Sequence, residues 1–188
     1  NDALAFFPVE GRRSKGRLCV NHEYVTPELS LARLPGIVAE SPAARETWVR
    51  EHPQVVGWMQ AAHGVSVLDL KRGVRGWSVV QGGAATRRIT ANTPMEICGP
   101  ARGNALMRTA ADTSGTRVLG TFANCAGGKT PWGTYLTAEE NIQDYFGGAR
   151  SWAERSDDEA TLSAHRRWPL RERSAYGWEY VDPRFDLR

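Results

Sequence analysis

An all-β fold with one helical insertion is the architecture that this sequence predicts. Short runs rich in β-branched and aromatic residues alternate with turn residues roughly every 8 to 12 positions, a spacing typical of sandwiches, barrels and propellers. A helical pattern near residues 41–62 interrupts these runs. With 188 residues, 41% of them hydrophobic, the chain can bury one sizeable core, so one domain is expected.

The first elements are predicted to be two strands and a loop. Residues 2–9 and 17–24 flank a segment of glycine, arginine, serine and lysine, and they are expected to pair in antiparallel fashion. Residues 25–40 contain two prolines and a glycine and are expected to form a loop.

The helical insertion has its own start, break and end signals. Ser41 suits the capping position and Pro42 suits the first helical position. The His52-Pro53 pair should interrupt the helix, because proline disfavours helical geometry in the residue before it. The helix should end near His63, which is expected to be a cap or a surface residue.

Five short strands are predicted after the helix. Residues 66–71 and 76–81 are joined by Arg-Gly-Val-Arg, which is a hairpin pattern. Residues 87–90, 94–98 and 105–109 are further short strands, separated by turn residues.

The last third of the chain is predicted to begin with a second hairpin. Its strands are residues 116–123 and 133–137, and the connection between them contains glycines and a proline. Residues 149–173 are dense in charge and predict a solvated helix and loop. Residues 176–185 are aromatic and predict a final strand.

Residues 120–148 contain the densest set of potential metal ligands. Cys125 is expected near the end of one hairpin strand, with Glu139, Glu140 and Asn141 at the exit of the other. Successive strand side chains face opposite sides, so the two glutamates are expected to serve different partners. Oxygen ligands suit Ca²⁺ or Mg²⁺, whereas a thiolate beside carboxylates indicates a transition metal such as iron. The alternative is that Cys125 is a small buried hydrophobe and that the glutamates are solvated.

A second polar cluster, Asn21-His22-Glu23-Tyr24, follows the second predicted strand. Rigid strands hold ligands better than loops do, so the end of a strand is a suitable place for a site. A solvated strand end explains the same residues nearly as well.

Composition and motif spacing argue against several other classes of function. Net charge is +3, and only three of the 24 basic residues are lysine, with no basic tract that would indicate a nucleic-acid partner. Three cysteines without a CxxC spacing indicate neither a zinc knuckle nor a disulfide framework. No run approaches 18 apolar residues, so no membrane span is predicted. Gly128-Lys129-Thr130 lacks the first glycine of a phosphate-binding loop, since position 123 is alanine.

Four motifs together resemble the PhoX family of alkaline phosphatases. They are VNHEY, GPARGNALMRT, NCAGGKTPWGTYLTAEEN and YGWEYVDPRFD, and they cover most of the chain in the family's order. The resemblance implies part of a six-bladed β-propeller that holds iron and several calcium ions near its axis and hydrolyses phosphate esters. It also implies a periplasmic or secreted enzyme, exported folded by the twin-arginine route.

The resemblance implies a role for each matching residue. Cys125 matches the family's iron-ligating cysteine, and Glu23 matches a glutamate that is a metal ligand. Glu140 and Asn141 match a Glu-Asn pair with calcium and phosphate-side contacts, with Glu139 as a neighbouring metal ligand. Asn141 is the catalytic candidate of the set.

The sequence departs from the family pattern at two positions. Ala138 stands where many members have a second cysteine, and Asn104 replaces a common histidine, which puts the role of position 104 in doubt. Family members are several times longer, and this chain begins with Asn1 rather than methionine. Residues 1–188 are therefore expected to be a partial domain, incomplete at both ends and inactive alone. The alternatives are a non-catalytic propeller-type module that binds carbohydrate or protein, and an inactive proteolytic core of the phosphatase.

Overall fold

The described part of the chain forms two compact units. The structure, a computed structural model, describes residues 2–26, 41–154 and 158–188. The first unit contains the described parts of residues 1–24 and 60–140, and the second those of residues 25–59 and 141–188. Most of the loop predicted at residues 25–40 lies outside the described residues.

The first unit is built from short antiparallel strands. Those in the described residues are β1 (Leu4–Val9), β2 (Arg12–His22), β3 (Gly64–Gly73), β4 (Gly76–Val79), β5 (Arg87–Ile89), β6 (Pro94–Glu96), β7 (Arg117–Leu119), β8 (Asn124–Lys129) and β9 (Tyr135–Glu139). The mostly-β architecture confirms the predicted fold class, whereas closure into a six-bladed propeller stays a prediction.

The largest sheet runs in the order β1-β2-β3-β4, and β5 also pairs with β3. Both the first strand pair and the hairpin of β3 with β4 are therefore confirmed. Alternation along the strands places Cys19, Val65 and Val67 on one buried face, where Phe7 and Tyr135 pack against them.

Two smaller sheets complete the first unit, β6 with β7 and β8 with β9. The second hairpin exists, but its first strand is β8 rather than residues 116–123. The chain cannot run straight into β8, because Phe122 and Ala123 turn into the interior and Ala123 has a left-handed φ of 51°. The strand predicted at residues 105–109 is also wrong, since Ala105–Met107 is a 3-10 turn.

The helical insertion is confirmed as two helices, α1 (Pro42–Glu51) and α2 (Gln54–Ala62). Ser41 caps α1, because its hydroxyl accepts a hydrogen bond from the Ala44 N–H at 3.1 Å. The helices are separated at His52, as the proline at position 53 predicts.

The second unit has a helical and aromatic character. It includes α1, most of α2, and the short helices α3 (Ala149–Ala153) and α4 (Glu159–Arg166). The final strand predicted at residues 176–185 is wrong, because Trp178–Tyr180 and Pro183–Phe185 are 3-10 turns.

Packing of aromatic rings against one another explains this difference. The fully buried Trp178 ring lies 4.7 Å from that of Tyr145 and 4.8 Å from that of Phe185. Those contacts require the rings to point inward together, whereas a strand would send alternate side chains to opposite faces.

Within the three described stretches, every helix is too short and too polar to cross a lipid bilayer.

Gly64 provides a stability test of the strand β3. It has a φ of +98°, and a Cβ there would lie 2.0 Å from the main-chain oxygen of Ile89. Gly64→Ala is expected to lower the free energy of unfolding by about 3 kcal/mol, because of steric overlap and a strained φ. Urea denaturation followed by tryptophan fluorescence measures the change.

The matched control is Gly57→Ala in α2, where the described residues place no atom within 4 Å of the added Cβ apart from the helix's own backbone and the two neighbours in the chain. Alanine favours a helix over glycine, so this variant should be more stable by about 0.5 to 1 kcal/mol. Equal stability of the two variants would contradict the packing described around Gly64.

Candidate functional site

Three potential metal ligands converge beside the end of β2. Ligand atoms of Asp2, Glu23 and Cys125 all lie within 4.8 Å of one another. Asp2 precedes β1, Glu23 follows β2, and Cys125 is the second residue of β8. Because β1 and β2 are antiparallel, the start of one lies next to the end of the other, which brings Asp2 and Glu23 together.

Main-chain hydrogen bonds add β8 to this arrangement. The Ala3 N–H donates to the carbonyl of Cys125 at 3.4 Å, and the Asp2 N–H donates to the carbonyl of Asn21 at 3.2 Å. The three ligand-bearing segments are therefore held together by their backbones as well as by packing.

The Cys125 thiol lies among carboxylates. Its Sγ donates to Oδ2 of Asp2 at 2.8 Å, and it also hydrogen-bonds the Glu140 side chain. The hydrogen bond to Asp2 is the largest of the effects that raise the pKa of the Cys125 thiol to about 12, and the hydrogen bond to Glu140 is the second. A cation among these groups would replace the proton and relieve the repulsion between the carboxylates. The half-exposed position of Cys125 also differs from the fully buried packing role considered as the alternative.

Glu139 and Glu140 have different partners. The Glu139 carboxylate accepts hydrogen bonds from the Thr121 hydroxyl at 2.6 Å and from the Phe122 N–H at 3.3 Å. It therefore stabilises the segment that leads into β8. Glu140 instead contacts Cys125, and its N–H donates to the carbonyl of Ala123 at 2.9 Å. Neither Glu139 nor Glu140 belongs to the converging group found in the described residues, and the role of each as a metal ligand stays a prediction.

Asn141 begins the second unit. It has a left-handed φ of 54°, which asparagine tolerates better than most residues, and its carbonyl accepts from the Asp144 N–H at 3.0 Å. Its catalytic role stays a prediction.

Sequence reasoning missed Asp2, although a usable signal was present. The predicted antiparallel pairing of residues 2–9 with 17–24 places the start of the first strand beside Glu23. A carboxylate at that start is then a neighbour of the predicted ligand Glu23, although 20 residues separate the two in the sequence. The proximity of Asp2 to Cys125 could not be predicted in the same way, because it depends on how β8 packs against β1.

A buried histidine supports the same region. His63 is 1% exposed, so its predicted surface position is wrong. Its Nδ1 accepts from the Ala123 N–H at 3.4 Å, and the ring also hydrogen-bonds the main chain of Glu23. Burial lowers the pKa of His63 to about 4, which keeps the ring neutral at physiological pH.

Arg88 and His22 extend this network. Arg88 donates to the Ser66 hydroxyl at 2.9 Å and to three carbonyls at the end of α2, which are those of Ala61, Ala62 and His63. The Ser66 hydroxyl also lies 2.7 Å from Nε2 of His22. Burial, with the nearby charge of Arg88, lowers the pKa of His22 to about 4. The side chain of the residue before Glu23 is therefore held against β3 through Ser66.

Comparisons with known families and solved structures match nearly the whole chain. The family described as alkaline phosphatase PhoX matches residues 1–187. Among solved structures, the chain is similar to Pseudomonas fluorescens PhoX in complex with vanadate, a transition state analogue, at 38% sequence identity and a TM-score of 0.81. That match covers 100% of this chain and 29% of the other chain. Curated proteins gave no match by sequence.

Proposed function

Because the chain belongs to the PhoX alkaline phosphatase family, we propose that the whole protein hydrolyses phosphate esters with a metal centre held partly by the first unit. The whole protein here means residues 1–188 with any sequence that adjoins them in the gene product. The observation that carries the proposal is the convergence of Asp2, Glu23 and Cys125, with Glu140 on the same thiol.

The chemistry of these side chains fits iron and calcium as the metals. A thiolate favours a transition metal, whereas carboxylate oxygens suit calcium as well as iron. Such cations would neutralise the negative charge that develops on the phosphoryl oxygens in the transition state. Cys125 and the carboxylates would hold them, Glu139 would keep the chain before β8 in place, and Asn141 would contact the phosphate side.

The proposal favours an enzyme over a non-catalytic binding module. A binding module predicts that Cys125 is ordinary packing, but this thiol lies between two carboxylates and is only half-buried. An arrangement of like charges around a thiol is costly for packing alone and is useful for binding a cation.

The periplasm or the cell exterior, reached by the twin-arginine route, is the proposed location.

The 188-residue chain by itself is proposed to be inactive. One Ca²⁺ takes six to eight oxygen ligands, so the carboxylates of Asp2, Glu23 and Glu140 could at most complete a single ion and could not fill the several calcium sites that the family resemblance implies. The chain spans 29% of the matched PhoX chain, so that protein has ample sequence for further ligands.

Hydrolysis of an aryl phosphate at alkaline pH tests the proposal. The whole protein and the 188-residue chain are each supplied with Ca²⁺ and iron, and turnover is measured before and after chelation. We expect turnover by the whole protein that a chelator abolishes and vanadate inhibits, and little turnover by the short chain. An inactive, metal-free whole protein would contradict the proposed function. Full turnover by the short chain would contradict only the need for further ligands.

A further inference from the structure

We propose that Asn21 is the positioning residue of the candidate metal centre, because its buried carboxamide and its backbone together hold the segments that carry Asp2, Glu23 and Cys125 in one arrangement. Asn21 is itself not a ligand, since its side chain is fully buried and engaged elsewhere. The inference rests on the proposed function, as it concerns the same centre.

The side chain of Asn21 joins β2 to the hairpin of β8 and β9. Its Nδ2 donates to the carbonyls of Cys125 at 2.9 Å and of Ala126 at 3.1 Å. Its Oδ1 accepts from the Tyr135 hydroxyl at 2.8 Å and from the Thr137 hydroxyl at 3.1 Å. Both donors and both acceptor positions of the carboxamide are therefore used.

The backbone of Asn21 joins the same strand to the start of the chain. Its N–H donates to the carbonyl of Ala3 at 2.9 Å, and its carbonyl accepts from the Asp2 N–H at 3.2 Å. Glu23 follows only two residues later. One residue thus contacts the Asp2 and Cys125 segments directly and lies near the end of the strand that Glu23 follows.

Only an amide of this length satisfies all of these contacts. Aspartate offers no donor and would place a carboxylate against the carbonyls of Cys125 and Ala126. Leucine has a similar shape but would leave two carbonyls and two hydroxyls without their buried partner. Fully satisfied buried networks are rigid, which is what an ordered set of metal ligands requires.

The simpler explanation is that Asn21 only stabilises the fold. A matched core variant distinguishes this stabilising role from a positioning role. Val67 lies in the same sheet and is buried in its apolar core. Val67→Ala should lower stability without moving the metal ligands, whereas Asn21→Asp should change both the stability and the arrangement of the ligands.

The experiment measures cobalt binding to the whole protein after its metals are removed by chelation. Co²⁺ bound to a thiolate gives a charge-transfer absorption, and a Cys98→Ser background removes the exposed thiol that could compete. We expect Asn21→Asp to weaken cobalt affinity about 10- to 100-fold, the effect typical of residues that orient ligands. Val67→Ala should keep the wild-type affinity and spectrum, and urea unfolding reports the stability of each variant.

Tyr135→Phe is the milder second variant, because it removes one of the two donors to Oδ1 of Asn21 and leaves the others. It should weaken cobalt affinity by a smaller factor, and it tests the positioning role if Asn21→Asp does not fold. Wild-type affinity in the folded Asn21→Asp protein, or in Tyr135→Phe when the first variant is unfolded, would overturn the positioning role. No cobalt–thiolate absorption in the unmutated protein would overturn the proposed metal centre together with it.

Discussion

Cys125→Ser is expected to reduce the turnover of the whole protein on an aryl phosphate by on the order of 10³-fold, with a matching loss of bound iron. A hydroxyl is a far weaker anionic ligand than a thiolate, so the metal should be lost or displaced. A catalytic metal supplies several kcal/mol of charge stabilisation in the transition state, and each 1.36 kcal/mol corresponds to about tenfold in rate. Elemental analysis and steady-state kinetics measure the two effects.

The control for this prediction is Cys98→Ser. Cys98 is exposed, and within the described residues its Sγ donates one long, weak hydrogen bond, to the carbonyl of Glu96 at 3.9 Å. This variant should keep its iron and its turnover. Wild-type iron content and turnover in Cys125→Ser would instead reduce Cys125 to a packing residue.

Glu23→Gln is expected to have the second largest effect, about 10²-fold or more in turnover, together with lower metal content. The amide has nearly the shape of the carboxylate but lacks its charge, and charge is what holds a hard cation. Because Glu23 lies within 4.8 Å of the ligand atoms of Asp2 and Cys125, removal of its charge should weaken the whole group. Metal content and kcat are measured on the folded variant.

Glu139→Gln is the matched control, since it makes the same chemical change elsewhere on the same unit. Its carboxylate accepts hydrogen bonds from Thr121 and Phe122, and an amide oxygen can replace these only in part. We expect a loss of about 1 kcal/mol in unfolding free energy and unchanged metal content. A loss of metal equal to that of Glu23→Gln would establish Glu139 as a ligand, as the family resemblance implies.

Local patterns in the sequence were sufficient for much of the fold. The alternation of residues and the turn signals predicted the pairing of β1 with β2 and the hairpin of β3 with β4. The Ser41-Pro42 start and the Pro53 break of the helical insertion were likewise predicted, because capping and proline geometry depend only on near neighbours. The family motifs also indicated Glu23 and Cys125 as candidate ligands.

Local patterns failed where a distant contact decided the conformation. Residues 176–185 have the composition of a strand, but inward packing of the Trp178 ring against those of Tyr145 and Phe185 makes 3-10 turns more favourable. His63 has the sequence context of a helix end, yet it is buried because Ala123 and Glu23 lie around its ring.

By itself, then, the sequence determined the mostly-β class, the strand pairs joined by short turns, the capped helical insertion and the membership of the family. Only the tertiary structure decided which polar groups share a site. It brought Asp2 against Cys125 across 123 positions, separated the partners of Glu139 and Glu140, and joined three segments at Asn21. The physical reason is that turn and helix signals act over a few residues, whereas a ligand set depends on strand register and sheet packing between segments distant in the chain.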